Sequence, residues 1–194
     1  MKYFFYLDTG GESCSNLQLY SLTQAIKYFN EVTIKYNKTG KDSPALIESY
    51  VFIISCLGLS ISQLLGQNYS KKEKNIPKLG PIFSDILQRE KKIKKRRKKI
   101  ITKNFDDLIY SYNKCRHFGI TIDDSTHKTI LNLTYAKTKK YVKITYFLWD
   151  LIIKIISKNP DHRLEDLYLL KIKETISNIL ENNLHKFQPD IDDY

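Results

Sequence analysis

The most apolar part of the chain is the stretch from Leu46 to Leu65, which reads LIESYVFIISCLGLSISQLL. Its apolar residues fall on nearly every side of a helix, and neighbouring helices must cover such a helix in water. Glu48, several serines and Gln63 interrupt it. It therefore lacks the roughly 18 uninterrupted apolar residues of a membrane-spanning helix. The stretch predicts a central helix over 45–65 in a helical bundle.

Helical periodicity also dominates the rest of the chain. Apolar residues recur at steps of three and four, as in Leu19, Leu22, Ile26, Phe29 and Val32. No Gly or Pro occurs after Pro81 before Gly119, so one long helix or two abutting helices cover that segment. The expected helices are 15–37, 45–65, 81–118, 125–133, 138–158 and 161–187.

Strand signals are limited to two short segments, Tyr3–Leu7 and Ile120–Ile122. The last residues, 188–194, are acidic and are expected to fray. We therefore expect 1–194 to form a single all-α domain, a helical bundle with a long basic helix.

The composition suits an intracellular globular protein. The chain has 194 residues, of which 42% are hydrophobic, so global disorder is not expected. The cysteines Cys14, Cys56 and Cys115 are odd in number and far apart, which predicts reduced thiols and no zinc site. The apolar start, Met1–Leu7, is too short for a signal-peptide core. These features predict a soluble cytoplasmic protein that does not bind a membrane.

Most of the net charge of +11 comes from one segment, the basic run from Arg89 to Lys103. The run contributes +9, from ten cations and Glu90, so the other residues contribute only +2. A dense block of cations neutralises phosphates, and without aromatic side chains it contacts the backbone with little sequence preference. The predicted nucleic-acid-binding residues are Arg89, Lys91, Lys92, Lys94, Lys95, Arg96, Arg97, Lys98, Lys99 and Lys103.

The basic run has two other interpretations, a solvated helix face and a membrane-surface helix. It can be a solvated helix face whose inner side is marked by Ile86, Ile93, Ile100 and Ile101. A membrane-surface helix is less favoured, because its apolar face would need Trp, Phe or Leu. The density of the charge favours nucleic acid.

The end of the same helical segment carries a second candidate site. Asp106, Tyr110, Asn113 and His117 fall within a narrow arc, opposite an apolar side, and Arg116 projects between residues of that apolar side. Such a set offers a general base and a cation for a developing phosphorane-like charge. The alternative is structural: Asn113 and His117 cap the helix end, and Arg116 pairs with an acid.

The order of elements resembles HEPN-family helical proteins. An apolar helix and a long charged helix precede Asn-x-x-Arg-His-Phe-Gly at 113–119, and a polar loop and a helix with Trp149-Asp150 follow. The resemblance covers roughly 46–156. It implies a small, usually dimeric bundle, as in metal-independent RNases of toxin–antitoxin, abortive-infection and CRISPR-linked defence systems.

The chain departs from the HEPN signature, an Arg followed four to six residues later by a His. Arg116 is followed at once by His117, and the next histidine is His127. Of the two signature residues, only the arginine has a counterpart here, which is Arg116. His117 and His127 are candidates for the general base that the signature histidine would supply. The hypothesis assigns catalysis to Arg116, His117, Asn113 and His127, without metal or cofactor.

The resemblance implies a homodimer that acts on RNA rather than DNA, with a protein partner in a defence complex. The alternative is a non-enzymatic nucleic-acid-binding or scaffold subunit, and a third reading is an adaptor for an acidic protein. Nucleotide-binding glycine motifs and a zinc-protease motif are absent from the sequence.

Overall fold

The computed structural model describes residues 17–66, 79–116 and 123–156, and these contain helices and no strand. This part of the chain is an all-α bundle, which confirms the predicted fold class. The helices are α1 (Leu17–Thr39), α2 (Pro44–Gly66), α3 (Leu79–Arg89), α4 (Lys95–Cys115), α5 (Asp124–Leu131) and α6 (Tyr135–Ile156). The predicted helix over 161–187, the acidic segment 188–194 and both strand candidates lie outside the described residues.

The central position of α2 agrees with its composition. It packs against each of the other five helices. Its residues Tyr50, Ile53, Ile54, Leu57 and Ile61 have no exposed surface. By length and composition the segment Pro44–Ser62, with a mean hydropathy of 1.8, also meets the requirements of a membrane span, but half of it is buried inside the bundle. A bundle's core helix passes the same test, so this is weak evidence for a span.

The segment expected to form one long helix or two abutting helices over 81–118 contains two, separated by a turn. Residues 90–94 leave the helical path, and Lys94 is extended, with φ −61° and ψ 145°. Within the turn the Glu90 carboxylate accepts a hydrogen bond from the backbone N–H of Lys92 at 3.2 Å. The long basic helix is thus a short helix, a basic turn and a second helix.

Charge repulsion gives a physical reason for the break. A continuous helix would place Lys91 beside Lys95 and Lys92 beside Arg96, and like charges four residues apart destabilise a helix. The turn separates these pairs. It also lets the Lys98 ammonium donate to the carbonyl of Gln88 at 2.8 Å, which satisfies one of the open carbonyls at the end of α3.

Three helix ends have an identifiable local cause. Gly40, with φ 65°, ends α1 and donates its N–H to the Tyr36 carbonyl at 2.7 Å. Asp123 caps α5 by accepting from the backbone N–H of Thr126 at 2.5 Å. Hydrogen bonds from the side chain and then the backbone N–H of Thr126 lower the pKa of Asp123 to about 2. Thr134 caps α6, so that helix begins three residues before the predicted 138.

Candidate nucleic-acid interface

The basic run lies on the surface, on α3, the turn at 90–94 and the first half of α4. Arg97 and Lys98 are half-buried. Arg89 is exposed and forms an ion pair with Asp85 at 2.9 Å. Seven other cations of the run are exposed: Lys91, Lys92, Lys94, Lys95, Arg96, Lys99 and Lys103.

The apolar side of α3 and α4 holds this charged surface in place. Phe83 and Phe105 are completely buried, and their rings stack with centroids 4.1 Å apart. Ile86 and Ile101 are buried as well, and Ile93 packs against the core from a half-buried position. Ile100 was expected on the inner side of the helix, but 40% of it is exposed. The cations therefore project from a backbone that is fixed by the core.

The cations at the start of α4 are not explained by helix stability. The first turn of α4 contains no acidic residue and begins KRRK, and Lys94 at the N-cap makes no side-chain capping bond. The amino end of a helix carries partial positive charge, so cations there are unfavourable and anions are favourable. The segment combines side-chain charge and helix dipole in a way that suits a bound anion.

The structure describes three of the four proposed catalytic residues. Arg116 is exposed at the C-cap of α4, and its guanidinium lies 5.7 Å from the centroid of the Tyr112 ring. Asn113 is exposed on α4 and His127 is exposed on α5. His117 lies outside the described residues. The exposed position of Asp106, Tyr110 and Asn113 agrees with the polar arc that the sequence predicts.

A lysine links the carboxyl end of α4 to the start of α5. The Lys114 ammonium lies 3.4 Å from the Asp123 carboxylate and also donates to the Ser125 hydroxyl. This link holds the start of α5 against the last turn of α4. Arg116 is exposed at the end of α4, and His127 is exposed in the middle of α5.

Cys115 sits beside Arg116 in sequence but faces the core. It is 3% exposed, and burial raises the pKa of its thiol to about 12. Cys56 is half-buried, and burial raises its pKa as well. Burial thus favours the neutral thiol form at both positions. Within the described residues, no group of three His, Cys, Asp or Glu side chains is arranged to hold a metal ion.

A lysine-rich groove between α4 and α6 was missed by the sequence reasoning. It has a volume of about 590 Å³ and is lined by Asn104, Asp107, Ala136, Lys137, Lys139, Lys140 and Lys143. A sequence signal existed, because Lys-Thr-Lys-Lys at 137–140 places three cations near the start of a helix, where acids are normally favoured.

The groove and Arg116 lie on opposite sides of α4. A helix turns about 100° per residue, so Arg116 lies about 180° around α4 from Asp107. Tyr112, the neighbour of Arg116, packs on α2, whereas Ser111 and Asp107 bond to Tyr141 of α6. Helix α4 therefore presents two separate surfaces to solvent.

This chain matches no family model, no curated protein and no solved structure.

Proposed function

We propose that this protein binds nucleic acid, RNA in preference to DNA, through contacts between the basic run and backbone phosphates. The single observation that carries the proposal is the exposure of seven cations of the run on a surface fixed by the core. Among the described residues, the ion pair that the run makes is that of Arg89 with Asp85. The preference for RNA follows from the resemblance to HEPN proteins.

Electrostatics supports phosphate over other anions. Nucleic acid presents closely spaced charges, and each phosphate that a cation neutralises releases counterions to solution. The exposed cations of the run lie on consecutive turns, which suits a linear polyanion better than a single carboxylate. No aromatic side chain lies within the run. The proposed binding is therefore largely independent of base sequence.

Salt dependence tests this proposal. The dissociation constant for a labelled single-stranded RNA is measured by fluorescence anisotropy at several salt concentrations, with DNA of the same sequence in parallel. The triple variant Lys91→Gln, Lys95→Gln, Lys99→Gln should bind more weakly and flatten the logarithmic salt dependence by about 2, since each contact contributes about 0.7.

The matched control removes the same charge from α1, through Lys27→Gln, Lys35→Gln and Lys38→Gln, all of which replace exposed lysines. It should bind RNA as the wild type does. An equal loss of RNA affinity in both variants would show that binding depends only on net charge, and this result would overturn the proposed interface.

A second candidate function, metal-independent RNA cleavage, is proposed for the end of α4. The favouring observation is the Lys114 link, which holds α5, the helix of His127, against the last turn of α4, the turn that the exposed Arg116 follows. A histidine there would take the proton of the attacking 2′-hydroxyl as its oxygen bonds to phosphorus, and Arg116 would stabilise the charge on the phosphorane-like transition state. The P–O5′ bond then breaks, which leaves a 2′,3′-cyclic phosphate, and the departing 5′ oxygen takes a proton from the histidine or from water.

Cleavage of labelled RNA in EDTA tests the enzyme. Products with cyclic phosphate ends should form, and Arg116→Ala and either His117→Ala or His127→Ala should abolish them without loss of binding. Binding without cleavage would reject the enzyme and leave a non-enzymatic binding or scaffold subunit. From the HEPN resemblance we also propose a homodimer, which sedimentation analysis can test. The cysteine content supports our proposal of a cytoplasmic location, which cell fractionation can test.

A further inference from the structure

The lysine groove between α4 and α6 is the strongest unassigned feature of the molecule. Its lining contains four lysines and a single carboxylate, that of Asp107. Its volume of about 590 Å³ falls in the range of small-ligand sites. A cleft with this charge suits an anionic ligand of about the size of one nucleotide.

A network of internal bonds orients the groove's charged groups. The Tyr141 hydroxyl donates to the Asp107 carboxylate at 2.8 Å and lies 2.8 Å from the Ser111 hydroxyl. The other oxygen of Asp107 lies 3.7 Å from the Lys137 ammonium, which is also 5.8 Å from the centroid of the Tyr141 ring. Asp107 thus has partners inside the protein and fixes Lys137 at the edge of the groove.

Asn104 is the second observation that points to a ligand. Its side chain lines the groove, although only 8% of the residue is exposed. Among the residues that the structure describes, none forms a hydrogen bond with its amide. A buried polar group that lacks a hydrogen-bond partner destabilises the folded protein. A ligand that accepts from this amide, such as a phosphate or a sugar hydroxyl, would remove that cost.

The groove continues the basic run along one face of α4. Arg96, Lys103 and Asp107 fall within about 40° of one another around the helix, and about 16 Å separates Arg96 from Asp107 along its axis. Lys103 is exposed and directly precedes Asn104 in the chain. A strand that follows the run toward the carboxyl end of α4 would therefore reach the groove.

We propose that this groove binds a phosphate–sugar unit of the same RNA strand whose backbone contacts the basic run. The inference rests on the proposed function and extends it, since it adds a second contact and a direction for the strand. Lys140, exposed on α6, and Lys137 would contact the phosphate, and the Asn104 amide would bond to the phosphate or the ribose.

Two measurements on the full chain test the groove. Lysines of the wild type are acetylated in the presence and absence of single-stranded oligouridylate of about 16 nucleotides, and the modification of each lysine is read by mass spectrometry. Lys140 should be protected several-fold, whereas Lys35 on α1, also exposed, should not change. In the second measurement, Lys137→Gln with Lys140→Gln, which removes the two lysines placed on the phosphate, should lower the salt slope by about 1.4, corresponding to two lost contacts.

The control double variant, Lys27→Gln with Lys35→Gln, should keep the wild-type slope. One outcome separates the two proposals. Suppose that the wild type binds RNA and that the Lys91, Lys95 and Lys99 variant binds it more weakly, but that the groove variant keeps the wild-type salt slope and RNA does not protect Lys140. The groove inference is then overturned, while the proposed function stands. If the wild type binds no RNA, the proposed function itself fails. Protection of Lys140 by polyglutamate but not by RNA would also overturn the inference and indicate an acidic protein instead.

Discussion

Gly58 of α2 lies directly against the aromatic ring of Tyr112 of α4. A side chain at position 58 would overlap the Tyr112 ring, so the absence of a Cβ permits this close approach of the two helices. Tyr112 is 8% exposed, and its ring also faces the Arg116 guanidinium. The packing of α2 against α4 therefore fixes the position of Tyr112, and the Tyr112 ring supports Arg116, which we place at the candidate cleavage site.

Replacement of Gly58 by Ala should destabilise the protein. Inside an ordinary helix this change stabilises by about 1 kcal/mol. Here the overlap with Tyr112 should reverse the sign and cost about 1–3 kcal/mol. Thermal unfolding should show a melting temperature lower by about 2–4 °C per kcal/mol. In the background of Tyr112→Leu the penalty should shrink, and a rise in melting temperature in the wild-type background would contradict the packing argument.

Removal of the Asp42 carboxylate should loosen two helices at once. Asp42, in the loop between α1 and α2, accepts from the buried Tyr50 hydroxyl at 2.6 Å and from the backbone N–H of Tyr135, the first residue of α6, at 2.9 Å. Asp42→Ala should lower the free energy of unfolding by about 1–3 kcal/mol in urea titrations. Asp42→Asn retains an acceptor oxygen and should lose less; equal losses would show that the contact does not act through that oxygen.

The buried thiol of Cys115 should make stability fall at alkaline pH. Burial raises the pKa of Cys115 from its ordinary value of 9.0 to about 12. Between these values the unfolded chain releases a proton that the folded chain retains, so the free energy of unfolding falls as pH rises. This contribution is complete below pH 9 and is lost toward pH 12. Urea titrations from pH 8 to 11 should show a shallower decline for Cys115→Ala, and parallel curves would exclude the thiol as the cause.

The helical framework was predictable because burial leaves a periodic trace in the sequence. The all-round apolar character of Leu46–Leu65 predicts the central helix. The helix ends at Gly40 and Asp123 agree with the local preferences of these residues. These signals depend on residues close together in the chain.

The turn at 90–94 and the groove were harder to predict. The turn contains no Gly or Pro, and it depends on a balance of like-charge repulsion and a contact from Lys98 to Gln88. The groove joins Asp107 to Lys137 and Tyr141, which lie thirty or more positions away. Such pairs follow from the packing of α4 on α6, which no local pattern encodes.

Replacement of Lys95 by Glu should increase stability and weaken RNA binding. Lys95 is the first residue of α4 and is exposed. An acid there interacts favourably with the positive end of the helix dipole, which is worth about 0.3–1 kcal/mol. The change also relieves repulsion from the neighbouring cations. The same change removes a proposed phosphate contact and adds a repulsive charge, so the dissociation constant for RNA should rise.

Lys103→Glu separates these two effects. Lys103 is exposed in the middle of α4, beyond the first turn, so the helix dipole gives little there. The Lys103→Glu change should therefore weaken RNA binding to a similar degree, but it should not raise the free energy of unfolding measured in urea titrations. The run carries cations at a helix start where acids would stabilise the fold, and a function that requires those cations explains this cost. If Lys95→Glu gained stability and kept full RNA affinity, the cations at the start of α4 would serve neither the fold nor the proposed binding.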